Sequence, residues 1–380
     1  KVFRLIYPKN IYYLVKSFIS LLFLPKGVHY DVIFYYPQHF NRGKAASNPF
    51  FEKMIETCEE SGLSHLLIEE PDYRLGFKRN SLAIPGDVFF LLVVLLRKFF
   101  VTRTSFQKKE QRIGKTLKRM FQFKNAIVLS QSMLGVLRGM NENSKLYDLQ
   151  HGLIYKNHEA YLSNGAVSEN IKKNNAQLLL TGIGFKNNLS NNYYEENTSV
   201  IGSSISKKPV AKSSSNSNKV LVTLQFTEDH TVEFNQKLLN DLNSFFLLVE
   251  KKEINATFFL KNHPRFRGEV NLGKLFEFPF VELSEERPLE ELLDGCDFHL
   301  TAHSTTVFEA ALKGVPSLFY NHDKSFLFRE EFSYPISEST TLTDFFEKKN
   351  YTHYSEISKE WAQQYYEPFN EELFISLMRR

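Results

Sequence analysis

The chain has little cysteine and no long apolar segment. Its 380 residues include two cysteines, Cys58 and Cys296, too few for the disulfide framework of a small secreted protein, and we predict two buried thiols in a reducing compartment. The longest uninterrupted apolar run, residues 88–96, has nine residues, whereas a bilayer-spanning helix needs about 20. This run and residues 12–24 are therefore interpreted either as buried helices or as interfacial membrane helices.

Several motifs that bind nucleotides or metals are also absent. The sequence has no Walker A motif and no Gly-x-Gly-x-x-Gly fingerprint, which disfavours ordinary dinucleotide binding. No Cys/His spacing resembles a zinc site, and no Asp-x-Asp pair is present to hold a metal against a nucleotide sugar. We therefore predict a protein that needs no metal ion and no bound cofactor.

Charge is distributed unevenly along the chain. The net charge of +4 combines a basic part, residues 1–210, with 29 Lys and Arg against 16 Asp and Glu, and an acidic remainder with 18 against 27. The basic part indicates an anionic partner, such as acidic lipid, a phosphorylated glycolipid or nucleic acid, and a solvated basic surface is the alternative. Because no nucleic-acid-reading module is present, we expect no nucleic-acid partner.

Apolar runs and helical periodicity alternate along the chain, which predicts parallel sheets built from βα units. A composition break rich in serine interrupts the pattern within residues 206–218 and predicts a flexible linker. We therefore predict an N-terminal acceptor domain over residues 1–205 and a C-terminal nucleotide-donor domain over residues 219–355. Residues 356–380 have helical periodicity and form the tail.

Two polar motifs follow predicted strands of the second half. Lys261-Asn-His-Pro264 ends one apolar run, and Thr301-Ala-His-Ser-Thr-Thr306 lies between another and a predicted helix. Ligands bind at the carboxyl ends of strands in open α/β sheets, and hydroxyls with helix-start N–H groups suit phosphate. The candidate phosphate contacts are Lys261, His263, His303, Ser304, Thr305 and Thr306, with Pro264 fixing the loop and Glu309 placed for a ribose. Helix capping and solvated surface positions are the alternatives.

These motifs, closed by Gly314-Val-Pro316, resemble the donor half of GT-B glycosyltransferases over residues 219–321. The resemblance is strongest to bacterial surface-polysaccharide enzymes, such as the sialyltransferase, Kdo-transferase and CDP-glycerol-transferase groups. It implies an α/β fold of two Rossmann-like, doubly wound domains facing a central cleft, with the C-terminal helix returning toward the first domain. It also implies that the His-Pro and Ser/Thr motifs hold the nucleotide phosphate. The acidic motif expected for the base of sialyltransferases is not identifiable, so the base and the stereochemical outcome stay open.

The catalytic candidates lie in two loops. Gln150-His-Gly152 follows a predicted strand, and His151 is a candidate general base for an acceptor hydroxyl. A structural histidine is the alternative, and His158 and Glu159 are rivals in the same loop. Asp148, within the strand, is expected to point away from His151. In the loop after the first strand of the second half, Thr227 is a candidate phosphate contact and Glu228 and Asp229 are candidate acid/base groups; solvated positions are the alternative.

The predicted function is transfer of a sugar from a nucleotide-activated donor to a glycan or glycolipid acceptor. The motif pair favours a CMP-linked donor, sialic acid or Kdo, and leaves CDP-glycerol and UDP-sugar donors open. The alternatives are a non-hydrolysing nucleotide-sugar 2-epimerase and a non-enzymatic basic protein that binds nucleotide or nucleic acid. The expected location is cytoplasmic, either free or in peripheral contact with the anionic inner membrane face.

Overall fold

The computed structural model describes residues 7–25, 27–41, 43, 46–73, 78–99, 105–203, 218–284, 286–321 and 326–380. The chain forms two compact units: the first comprises Lys1–Ser204 and Glu367–Arg380, and the second comprises Ile205–Tyr366. The second unit thus extends beyond residue 355, where the sequence analysis placed its end. Apart from Asn218, the predicted linker lies outside the described residues.

The first unit is built on a seven-stranded parallel sheet. Its order is β3-β2-β1-β4-β5-β8-β9, and β6 and β7 form a separate antiparallel pair. The strands are β1 (His29–Pro37), β2 (His65–Glu70), β3 (Ile84–Pro85), β4 (Gln122–Leu129), β5 (Lys145–Leu149), β6 (Leu162–Ser163), β7 (Ala166–Val167), β8 (Ala176–Leu180) and β9 (Thr198–Val200). Residues 32–36 of β1 are all buried, because helices cover both faces of a parallel sheet and its strands are apolar throughout.

Eight helices of the first unit precede the second unit in the described chain. They are α1 (Pro8–Phe23), α2 (Glu52–Ser61), α3 (Asp87–Phe99), α4 (Phe106–Leu117), α5 (Leu134–Met140), α6 (Glu169–Lys173), α7 (Ile183–Asn187) and α8 (Asn192–Glu196). Gly62 ends α2 with a φ of 69°, as its sequence position predicts, since glycine adopts the left-handed conformation at little cost. Within the described ranges, no helix is long and apolar enough to cross a membrane.

The second unit repeats the βα pattern with a five-stranded parallel sheet of order β12-β11-β10-β13-β14. Its strands are β10 (Asn218–Thr223), β11 (Ala256–Lys261), β12 (Val281–Leu283), β13 (Phe298–Thr301) and β14 (Ser317–Phe319), and its helices are α9 (Val232–Lys251), α10 (Leu289–Asp294), α11 (Thr306–Leu312), α12 (Leu342–Phe346) and α13 (Lys348–Gln363). Thr231 caps α9 by accepting a hydrogen bond from the Phe234 N–H.

The C-terminal segment rejoins the first unit. Residues 367–370 run beside the chain that leaves β9, and the Ser203 N–H donates to the Glu367 carbonyl at 2.7 Å. Gly202 has a φ of 79°, and a Cβ there would lie 2.1 Å from the Pro368 carbonyl oxygen, so the crossing requires glycine. The last helix, α14 (Glu371–Arg379), then packs in the hydrophobic core of β1 and α2.

Many of the 36 phenylalanines contribute their side chains to the two cores. In the first unit the rings of Phe34 and Phe51 lie 5.0 Å apart, and in the second Phe308 stacks on Trp361 at 4.5 Å. Both cysteines are buried free thiols, Cys58 in the first unit and Cys296 in the second. Burial raises the pKa of the Cys58 thiol to about 12, so this thiol stays protonated and unreactive.

Candidate functional site

Strand register brings the predicted donor motifs to one edge of the second sheet. Thr223, at the end of the central strand β10, lies opposite Lys261 of β11 on one side and Thr301 of β13 on the other. Neighbouring strands are about 4.8 Å apart, so the three residues form a row about 10 Å across. The strand order reverses at β10, the first strand of the unit, which has β11 on one side and β13 on the other. Open α/β sheets bind ligands at such a switch point.

Contacts between the loops that follow these three strands hold the edge together. Asp229, after β10, forms an ion pair with Arg265, after β11. The ring of His230, also after β10, lies 5.7 Å from the ring of His303, after β13. The loop of β10 therefore touches the loops on both sides of it. Asp229 and Glu228 are both exposed, and the Asp229 carboxylate joins two loops through its ion pair.

The Lys-x-His-Pro loop has a defined local geometry. The half-buried Lys261 donates from Nζ to the Arg287 carbonyl at 3.0 Å. Nδ1 of His263 accepts a hydrogen bond from the Arg265 N–H at 3.2 Å, and in the neutral ring the proton is then on Nε2. Pro264 between them is exposed. The loop thus carries an ammonium group and an imidazole N–H donor, both suited to a phosphate oxygen.

The three hydroxyls at the start of α11 are not equivalent. Ser304 and Thr306 are buried and bond to each other through their Oγ atoms at 2.9 Å. The Ser304 N–H donates to Thr301 Oγ1, and the Thr306 N–H to Ser304 Oγ, each at 3.2 Å. Thr305 is exposed and makes no capping hydrogen bond with its side chain. Ser304 and Thr306 therefore shape the turn, and Thr305 offers its hydroxyl at the surface.

The remaining candidates of the second unit flank this edge. Thr227 is buried, and its backbone exchanges two hydrogen bonds with the Asn235 side chain on α9, which fixes the loop after β10. Glu309 is exposed on α11. Its charge adds to the effect of burial in raising the pKa of Tyr366. Among the described residues, no group of three or more His, Cys, Asp and Glu side chains could hold a metal ion, and metal independence stays a prediction.

In the first unit, His151 lies at the carboxyl edge of the sheet, directly after β5. Its Nε2 is 3.1 Å from Ser130 Oγ, at the end of β4, and its ring lies 5.0 Å from that of Phe40, after β1. The histidine lines a cavity of about 400 Å³ together with His158, Tyr161 and other polar residues. Burial lowers the pKa of His158, and Glu159 is exposed.

Gly152 is not a position of close packing within the chain, because a Cβ at this residue would meet no atom within 4 Å. The restricted backbone lies instead at the end of β4, where Ser130, Gln131 and Met133 have φ values of 58°, 54° and 57°. Non-glycine residues adopt this conformation at a cost of about 1 kcal/mol or more each, and such strain clusters at functional sites.

Asp148, to which the sequence assigned no role in the site, is part of its hydrogen-bond network. Its Oδ1 accepts from the Gln131 N–H at 2.7 Å and its Oδ2 from the Tyr161 hydroxyl at 3.2 Å. Both partners line the cavity. Burial raises the pKa of this carboxyl to about 7. The available signal was an ionisable residue within an apolar strand, which is rare unless the group has partners.

A second carboxylate, that of the half-buried Glu70, contacts the same turn. Glu70, at the end of β2, accepts a hydrogen bond from Ser132 Oγ at 2.6 Å, and burial raises the pKa of Glu70. Gln131 and Ser132 are thus each hydrogen-bonded to a carboxylate, and Ser130 beside them contacts His151. Because these bonds constrain the left-handed turn, they also set the position of the Ser130 hydroxyl and of the imidazole.

Comparisons with known proteins give similarity in structure only. No model of a known protein family matches the chain, and no curated protein matches its sequence. Among solved structures, the wall teichoic acid polymerase TagF is 13% identical with a TM-score of 0.51, covering 100% of this chain and 97% of that one. The UDP-GlcNAc 2-epimerase from Neisseria meningitidis bound to UDP-GlcNAc is 13% identical with a TM-score of 0.51, covering 93% and 100%. The glycotransferase of kitacinnamycin is 10% identical with a TM-score of 0.51, covering 93% and 99%.

These similarities establish the fold. The chain has the GT-B fold with two Rossmann-like domains, so the predicted fold class is confirmed. The similar structures are enzymes of this fold, glycosyltransferases and epimerases, and some bind nucleotides or nucleotide sugars. Similarity at this level of identity shows the fold alone and does not show which glycosyltransferase group the chain resembles.

Proposed function

We propose that this chain is a glycosyltransferase that binds a nucleotide-activated sugar at the carboxyl edge of the second sheet. The observation that supports this most is the row formed by Lys261, Thr223 and Thr301, with the loops beyond it joined by contacts on both sides. A displaced nucleotide leaves with negative charge on its phosphate. The Lys261 ammonium, the His263 Nε2–H and the Thr305 hydroxyl are donors that stabilise this charge as it develops.

The proposed donor is CMP-linked sialic acid or Kdo, supported by the order and spacing of the His-Pro and Ser/Thr motifs. His303 completes the phosphate contacts, Ser304 supports the turn that presents Thr305, and Glu309 accepts from the ribose. The absence of an Asp-x-Asp pair from the sequence supports a reaction in which protein cations and N–H groups neutralise the leaving phosphate. Turnover that persists in the presence of a chelator is the expected result.

The proposed acceptor is a glycan or glycolipid hydroxyl, which His151 deprotonates. The half-buried ring lies in a cavity of about 400 Å³, and its hydrogen bond to Ser130 orients it. An imidazole titrates near neutral pH and can take this proton. The basic charge of residues 1–210 supports peripheral contact of this part with an anionic membrane, where a lipid-linked acceptor lies.

A thermal-shift screen with CMP, CDP, UDP, GDP and ADP tests the donor assignment. A nucleotide that binds only the folded protein raises its apparent stability, and we expect the largest shift with CMP. Lys261→Ala and His263→Ala should abolish the shift. Lys252→Ala is the matched control, because Lys252 is exposed at the end of α9, just before β11 begins, and thus at the opposite edge of the sheet. Variants at 261 and 263 that retain the full shift would refute the site.

A nucleotide-sugar 2-epimerase is the second candidate, because a UDP-GlcNAc 2-epimerase matches this chain as well as TagF does. The two functions differ in what they require. A transferase needs an acceptor, and His151→Ala should keep the nucleotide shift while losing transfer. An epimerase would give its largest shift with UDP and would convert UDP-GlcNAc without any acceptor. Formation of an epimeric nucleotide sugar would therefore replace the first proposal with the second.

A further inference from the structure

Helix α1 contacts the rest of the first unit through the side chains of Tyr13 and Ser17. The ring of Tyr13 lies 4.6 Å from the guanidinium carbon of Arg79, which is held by ion pairs to Glu69 and Asp87. Ser17 is fully buried, and its Oγ accepts a hydrogen bond from the Val88 N–H at the start of α3, at 3.0 Å. These contacts fix which side of α1 faces the protein.

The opposite side of α1 is apolar. Ile11, Val15, Phe18 and Leu22 follow one another at intervals of four, three and four residues and therefore form one continuous line along the helix. We call these four residues the α1 stripe. Each is about half exposed, and Phe23 next to the stripe is 81% exposed. A surface helix of a globular protein normally has the reverse polarity, with the apolar side inward, so the stripe indicates an apolar partner.

Charge identifies the partner as an anionic lipid surface. Lys9 and Lys16 are seven residues apart and therefore lie on the same side of α1. They border the exposed side chains of Tyr12, Ile19 and Phe23, which extend the apolar surface of the stripe around the helix. Lysines in this position extend their ammonium groups to lipid phosphates while the stems cover apolar surface. Residues 1–210, which contain α1, have the chain's excess of Lys and Arg. A second copy of the chain would have the same basic surface and would repel it.

We propose that the α1 stripe inserts into the interfacial layer of an anionic bilayer, with the helix axis parallel to the membrane. The helix is 16 residues long, too short to cross the hydrocarbon core. Leu95 and Phe99 of α3, which packs against α1, are also exposed. Membrane binding by α1 can be tested without the proposed function. The inference rests on that function only for its role, which is to hold the first unit at a membrane where a lipid-linked acceptor lies.

Co-sedimentation with vesicles tests the stripe directly. The full chain is mixed with vesicles of phosphatidylcholine alone or of phosphatidylcholine and phosphatidylglycerol in equal amounts. We expect binding to the anionic vesicles, weakened by added salt because surface charges are screened. The variant Phe18→Gln/Leu22→Gln should lower the partition coefficient at least about tenfold. Glutamine is a good helix former, so α1 should persist, which far-UV circular dichroism verifies.

The matched control is Phe326→Gln/Leu247→Gln in the second unit. These residues are 60% and 51% exposed, against 54% and 60% for Phe18 and Leu22, so the two variants lose similar exposed apolar surface. We expect the control to bind anionic vesicles like the wild type. A second variant, Lys9→Gln/Lys16→Gln, should reduce the preference for anionic over neutral vesicles.

Several results would overturn the proposal. These are wild-type protein that binds neither vesicle type, equal binding to neutral and anionic vesicles, or an equal loss in the control. A wild-type dimer in light scattering that Phe18→Gln/Leu22→Gln makes monomeric, with no vesicle binding, would assign the stripe to a second copy. The thermal shift with nucleotide, measured on the same proteins, separates the membrane proposal from the proposed donor site. If the wild type shows no thermal shift, only the donor site is contradicted, because vesicle binding depends on α1 and not on that site.

Discussion

At the scale of single residues, the first unit has a buried carboxylate, that of Asp148, three residues before its candidate base. Asp148 makes two hydrogen bonds, yet burial outweighs them and raises its pKa to about 7. The protonated form is thus favoured in the folded protein relative to the unfolded chain, whose Asp titrates near 3.8. Folding stability is therefore highest below about pH 4 with respect to this group and decreases as the pH rises toward 7.

Asp148→Asn removes this pH dependence. Asparagine keeps an acceptor for the Gln131 N–H and presents an amide donor to the Tyr161 oxygen, without a charge to desolvate. We expect the variant and the wild type to be similarly stable near pH 4 and the variant to be more stable at pH 8, by on the order of 4 kcal/mol at most. Urea unfolding of both proteins at several pH values measures the difference. A difference that stays constant from pH 4 to pH 8 would show that Asp148 titrates normally.

The residue scale also shows what the sequence could predict of the site. Lys261, His263 and His303 were identifiable because each follows an apolar run, and parallel strands end at a common edge. The role of Asp148 was not identifiable, since its partners Gln131 and Tyr161 are 17 and 13 residues away. Thr305 is exposed, whereas its neighbours Ser304 and Thr306 are buried. Three adjacent hydroxyl residues look alike in the sequence, so this difference could not be predicted.

At the scale of elements, α4 and α5 cross through glycines. A Cβ at Gly114 of α4 would lie 2.0 Å from the Val136 carbonyl oxygen, and one at Gly139 of α5 would lie 2.0 Å from the Gln111 carbonyl oxygen. Both atoms belong to the backbone, so neither can move aside as a flexible side chain would. The two helices approach closely because side chains are absent at these positions.

Gly114→Ala tests this crossing. In an isolated helix, replacing glycine by alanine would stabilise the helix by about 1 kcal/mol. The sign of the change in unfolding free energy therefore shows whether helix propensity or close packing dominates at this position. We expect destabilisation of about 1–3 kcal/mol, because the helices must separate to admit the methyl group. Chemical denaturation gives the value, and Gly152→Ala, which meets open space, should leave stability near that of the wild type. An increase in stability at position 114 would mean that the helices are not in close contact.

Periodicity predicted the long elements better than the short ones. Helical periodicity over residues 234–250 predicts a helix, which is observed as α9 (Val232–Lys251), and the apolar run over residues 145–149 predicts a strand, which is observed as β5. A helix is also predicted over residues 132–140, but α5 begins only at Leu134, because Ser130, Gln131 and Met133 adopt left-handed conformations that the sequence does not signal. The pair β6–β7 and the helices α7 and α8 were missed, since elements of two to five residues are too short to show a period.

At the scale of the whole molecule, the chain forms most of the first unit, then the second unit, and finally returns to the first. The last fourteen residues belong to the first unit, although the second unit precedes them. Phe374, Leu377 and Met378 of α14 are buried with Val32 and other residues of the first core. The Asn125 side chain donates to the Met378 carbonyl at 2.8 Å. The core of the first unit is therefore complete only when α14 is present.

Phe374→Ala should therefore weaken the first unit selectively. Replacing a buried phenylalanine by alanine costs about 3–5 kcal/mol, and amide exchange through unfolding of a unit accelerates about tenfold per 1.4 kcal/mol. Hydrogen exchange of the full chain, read by mass spectrometry, should show faster exchange in β1, β4 and β5 and unchanged exchange in β10, β11 and β13. Phe308→Ala is the reciprocal control, because this ring stacks on Trp361 within the second unit and should accelerate the second set alone. If either substitution accelerated both sets equally, the two cores would unfold as one cooperative body, and α14 would act on the whole molecule and not on the unit that contains it.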